Sequence, residues 1–95
     1  MNDLTFERPV SIFVGAGYTH AVDNVHDAHR LLSEWDGRRG PAYSAAINAC
    51  RAAFEGSVDA ETVRGIFEAF AKAHGILVPE AIAAAALATR SGAHG

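Results

Sequence analysis

The sequence predicts an α+β domain: an N-terminal β-hairpin packed against three amphipathic helices, followed by an alanine-rich C-terminal helix. Three observations carry that prediction. Val10, Ile12 and Val14 alternate with Ser11 and Phe13, the two-residue period of a strand with one buried face. Beyond Asn24, apolar residues recur at three- and four-residue spacing in three separate runs. Glycine and proline punctuate those runs at Gly37 to Pro41, Gly56 and Gly75, where helices stop and start.

Each element has its own warrant. Pro9 has no N–H to give a ladder, which suits the start of an edge strand over Val10–Val14. Gly15-Ala16-Gly17 permits a tight reversal, and Thr19–Val22 returns as a second strand. A lone hairpin is marginal in water, so helices must cover it or a third strand must join it. Asn24 is an N-cap, and Asp27 sits at the positive end of the helix dipole. Val25, Ala28, Leu31, Leu32 and Trp35 then share one face, opposite His26, Asp27, Arg30, Ser33 and Glu34, in a first helix ending near Trp35.

Pro41 opens a second helix, where its missing N–H costs nothing. Tyr43, Ala46, Ile47, Cys50, Ala53 and Phe54 form its stripe, Ala45, Ala49 and Ala52 a second, small face, and Gly56 its stop. Ser57 or Asp59 caps a third helix with a stripe of Val63, Ile66, Phe67, Phe70, Ala71 and His74, ended by Gly75. Ile76-Leu77-Val78 admits a third strand or an extended connector, and the connector is the reading taken. Pro79 begins an alanine-rich segment with only Ile82 and Leu87 as large apolar groups, helical to about Ala88 and disordered from Thr89 on. The expected organisation is one domain over residues 1–78 with an appended segment over 79–95. Its expected core includes Trp35, Cys50, Phe54, Phe67 and Phe70.

Bulk properties narrow the function. The net charge of −3, with acids and bases interspersed, leaves no basic stripe for a phosphate backbone, which argues against nucleic-acid binding. One cysteine cannot form an internal disulfide, and the first residues have neither a basic nor an apolar leader region. The longest apolar run, Ala81 to Ala88, falls short of the roughly 20 residues a membrane span needs. These features point to a cytoplasmic protein that does not enter membranes.

Four features carry candidate chemistry. Cys50 lies mid-helix within an apolar stripe, away from any cation that would lower its pKa, and reads as a packing residue. His26 and His29, at i and i+3, can share a metal if His20 supplies a third ligand and Asp23 or Asp27 a fourth. Arg38 and Arg39 precede a helix N-terminus and form a candidate anion site, weakened by the donor that Pro41 removes. His74, near a helix C-terminus, reads as a capping cation. No nucleophile–base set, paired carboxylates or phosphate-cradling loop assembles from the sequence. The chain therefore reads as non-enzymatic, and no cofactor is implied.

The residues Val10, Ala28, Leu31, Leu32, Trp35, Gly40, Ala46, Cys50, Ala53, Gly56, Arg64, Phe67 and Ala71 follow a recognisable pattern. A valine-rich strand leads to a helix ending in Leu-Leu-x-x-Trp. A Gly/Pro loop, an alanine-rich helix with a cysteine, and a helix with a central Arg and aromatic residue come next. This pattern resembles a rhizobial and alphaproteobacterial family, the domain of unknown function 982, over about Phe6 to Val78. Asp36 stands where that family often has Pro, and the tail is longer. The resemblance implies a small soluble cytoplasmic bacterial protein and assigns no activity. The leading functional expectation is a small interaction or regulatory module, homodimeric through its exposed strand edges. The alternative is a small-ligand or metal-binding domain using His20, His26 and His29 or Arg38 and Arg39.

Overall fold

A computed structural model describes residues 3–15 and 18–79. The expected C-terminal helix and tail lie outside the described residues, as do the two residues at the hairpin turn. Two antiparallel strands, β1 (Thr5–Gly15) and β2 (Tyr18–Asn24), precede three helices, α1 (Val25–Ser33), α2 (Pro41–Phe54) and α3 (Ala60–Ala73). Helices α1 and α3 lie against the hairpin, and α2 packs on both of them. This is the expected α+β arrangement.

Strand β1 starts at Thr5, well before the expected Val10, and Pro9 lies inside it. The ladder is irregular between Thr5 and Val10, so the missing Pro9 N–H removes no bond from it. Helix α3 serves that stretch instead: Glu61 Oε2 accepts from the Glu7 N–H at 2.7 Å, and Arg64 Nε donates to the Arg8 carbonyl at 2.8 Å. From Val10 the register is regular, with Val10 opposite Val22 and Ile12 opposite His20. Val10, Ile12 and Val22 are buried, while Phe13, Thr19 and Ala21 on the alternate face are exposed.

The helix ends follow local chemistry. Asn24 caps α1 by accepting from the Asp27 N–H at 2.7 Å. Of the two candidates for α3, Asp59 is the cap, accepting from the Thr62 N–H at 2.9 Å. Helix α1 stops at Ser33 rather than Trp35. A tight last turn, with the Trp35 N–H donating to the Leu32 carbonyl at 3.2 Å, swings the chain off the axis. Gly56 (φ 83°) and Gly75 (φ 70°) end α2 and α3 in the left-handed conformation glycine tolerates. Both ends are Schellman motifs: Ser57 donates to Ala52 and Gly56 to Ala53, then Ile76 to Ala71 and Gly75 to Lys72.

The second motif delivers Ile76 onto β1. The Phe13 N–H donates to the Ile76 carbonyl at 2.8 Å and the Val78 N–H to the Ser11 carbonyl at 2.9 Å, around an Ile12–Leu77 bridge. Residues 76–78 are thus a connector that also closes the outer edge of β1.

The core joins the hairpin's buried face to Leu32, Val63, Phe67 and Phe70, with Cys50 and Ala46 entering from α2. Trp35 packs against it half-buried. Phe54 corrects an expectation. It is 39% exposed on the last turn of α2, with the rings of His26 and His29 at 4.9 and 5.2 Å.

Candidate functional site

The ladder continues past Ile12 to Gly15 and Tyr18, and this end of the hairpin faces the surface of α1 and the loop after it across an open groove of about 800 Å³. Val14 and Tyr18 line one side of the groove, Leu31 and Trp35 the other, and Ile76 also borders it. Phe13, Val14 and Tyr18 account for three of the four large apolar residues exposed among those described.

A polar clasp forms one wall. Asp27 accepts from Arg30 Nη2 at 2.8 Å through one oxygen, and its other oxygen lies 2.7 Å from His20 Nε2. Burial alone would raise the Asp27 carboxyl, but hydrogen bonds from Arg30 and His20, and their charges, outweigh it and hold the pKa below its ordinary value. The clasp thereby ties β2 to the first turn of α1. Glu34 and Asp36 complete the polar lining.

The histidines do not converge as the sequence suggested. Neighbouring helical positions differ by about 100°, so Asp27 and Arg30 face the groove while His26 and His29 turn to Phe54. Among the described residues, no group of three His, Cys, Asp or Glu side chains is placed to hold a metal ion. The metal reading of His20, His26 and His29 is corrected accordingly.

The arginine loop wraps the indole, with Arg38 and Arg39 themselves exposed. Arg39 Nη2 donates to the Trp35 carbonyl at 2.8 Å, and its guanidinium stacks 5.1 Å from the Tyr43 ring centroid. The Arg38 carbonyl accepts from Trp35 Nε1 at 3.1 Å. These contacts give the loop a structural role around the indole, which also meets Phe70 and His74 edge-on at 5.3 and 5.4 Å. Cys50 is fully buried, and burial pushes its thiol up to about 11, consistent with packing.

Two sets of contacts lie beyond the sequence reading. The pairing of Asp27 with Arg30 at i, i+3 was visible as a helix-surface pair, but its link to His20 depends on the fold. Arg64 carried only a family signal, and its role is to serve the irregular stretch of β1.

A two-stranded hairpin backed by three helices, with a groove under its free end, defines a small α+β domain class. The family model described as "Protein of unknown function (DUF982)" matches residues 8–78, and the chain belongs to that family. The NMR structure of Agrobacterium tumefaciens protein Atu1219 is similar, with 30% identity and a TM-score of 0.68, covering 83% of this chain and 80% of that one. No curated protein matches the chain. Among the described residues, no helix is long and apolar enough to cross a membrane.

Proposed function

We propose that this chain is a non-enzymatic, homodimeric protein-interaction module of the cytoplasm that assembles through the outer edge of β2. The observation that carries this reading is the asymmetry of the sheet. Residues 76–78 close the second edge of β1, whereas β2 has no backbone partner on its outer side among the described residues. Nor does β2 contain Lys or Pro, the residues that commonly blunt an edge. The chain's lone, buried cysteine, Cys50, suits a reducing compartment.

The direction of the free groups follows from the ladder. Ser11 and Phe13 point their backbone groups toward residues 76–78, so alternation aims those of Val10 and Ile12 at Val22 and His20. Their neighbours Ala21 and Thr19, opposite Ser11 and Phe13, therefore present N–H and C=O groups outward. Two β2 strands meeting antiparallel about Ala21 satisfy these groups with twofold symmetry.

Native mass spectrometry at tens of micromolar tests the reading, with a dimer expected for the wild type. Ala21→Pro removes an outward donor and no ladder bond, so it should yield a folded monomer. A wild type that stays monomeric at hundreds of micromolar overturns the proposal. A second reading, a small-ligand domain, is favoured by the groove, whose volume lies within the roughly 300–1,000 Å³ of ligand pockets. A thermal-shift panel of phosphorylated and amine metabolites checks it, since a ligand at 100 times its Kd adds about 2.7 kcal/mol.

A further inference from the structure

We propose that the groove under the hairpin end docks a segment of a partner protein that presents lysine or arginine between aliphatic side chains. This goes beyond the β2-edge dimer and does not depend on it.

The charge of the lining selects a cation. Asp27, Glu34 and Asp36 face one arginine, Arg30, so three acids less one base leave a formal −2 with histidine counted neutral. The whole chain carries only −3. Asp27 is already committed to Arg30 and His20. Glu34 and Asp36 are exposed, and among the described residues neither side chain makes a hydrogen bond or an ion pair within 4 Å, although the charge of Glu34 also acts on Arg30. They flank Trp35 in sequence, and all three residues line the groove. An indole lining the same groove as two exposed carboxylates favours an ammonium or guanidinium group through cation–π attraction and Coulomb's law.

The apolar lining selects the rest of the ligand. Val14 is 54% and Tyr18 73% exposed beside the groove, more apolar surface than a small amine covers. A free amine would leave them in water. A peptide with aliphatic residues on either side of its cation covers them, which is the use that exposed apolar patches commonly serve.

The test uses the full chain and three probes: the blocked peptide Leu-Ala-Lys-Ala-Leu, the same peptide with glutamate for lysine, and butylamine. Trp35 is the only tryptophan, so its fluorescence reports the groove directly, and amide shifts of Tyr18, Leu31 and Ile76 locate the binding. The lysine peptide should saturate with shifts confined to the groove, and the glutamate peptide should not bind. The double variant Glu34→Gln, Asp36→Asn alters only exposed positions and should weaken the lysine peptide about tenfold, the scale of losing two surface charge contacts. Equal binding of both peptides, saturation by butylamine at the same concentration, or no shift at millimolar lysine peptide each overturns the proposal. Repeating the titration on Ala21→Pro separates the two readings. Binding to that monomer upholds the groove whatever becomes of the dimer.

Discussion

Gly37 is required by its neighbour. A Cβ at that position would lie 2.9 Å from Trp35 Cε2 and Cζ2, and the indole is held in place by Phe70, His74 and the Arg38 carbonyl. Gly37→Ala should therefore lower stability by about 1–3 kcal/mol, as overpacking does elsewhere, measured by urea denaturation; an unchanged midpoint would show that the loop yields freely. Tyr43 tests a different kind of contact. Its buried hydroxyl donates to the Leu32 carbonyl at 2.9 Å, at the end of α1. Tyr43→Phe should cost about 0.5–1.5 kcal/mol, the net value of one such bond, with the fold intact by circular dichroism. The aromatic residues of the stripes also separate by burial. Phe67→Ala opens a cavity in the core and should cost about 3–5 kcal/mol, whereas Phe54→Ala, at a site 39% exposed, should cost only about 1 kcal/mol.

Between elements, the Asp27 clasp makes the attachment of β2 to α1 depend on pH. The folded pKa of Asp27 lies below the ordinary 3.8, so its stabilisation is fully present above that value and is lost as pH falls through the lower folded value. Asp27→Asn keeps the backbone N–H that bonds Asn24 but loses the charge. Its melting temperature should trail the wild type at pH 6, and the gap should close as pH falls below 3.8 through the lower folded value. A gap that persists in acid would assign the effect to packing instead. Helix ends were legible in the sequence because their signals are local: Asn24, Asp59, Pro41, Gly56 and Gly75 each act within a few residues of their own helix end. The extension of β1 back to Thr5 was not, since Glu7 and Arg8 are served by Glu61 and Arg64 from the far end of the chain. Likewise, no periodicity could show that His20 meets Asp27 while His26 and His29 take Phe54, because strand register and helix phase decide it jointly.

For the whole molecule, amphipathic stripes and turn residues sufficed for the α+β architecture, while the groove emerged only from how far the hairpin runs along α1. Phe13, Val14 and Tyr18 are consistent with a strand pattern and do not announce that they stay uncovered. The connector that closes β1 has a wider consequence. Because Ile76 is laid against Phe13 by the Schellman end of α3, only one of the sheet's two margins is available for backbone pairing among the described residues. A sheet with two sticky margins adds copies without limit and grows into a filament. With one, association through the proposed β2 edge would be self-terminating: the second copy would use up what the first offered, and assembly would stop at a pair.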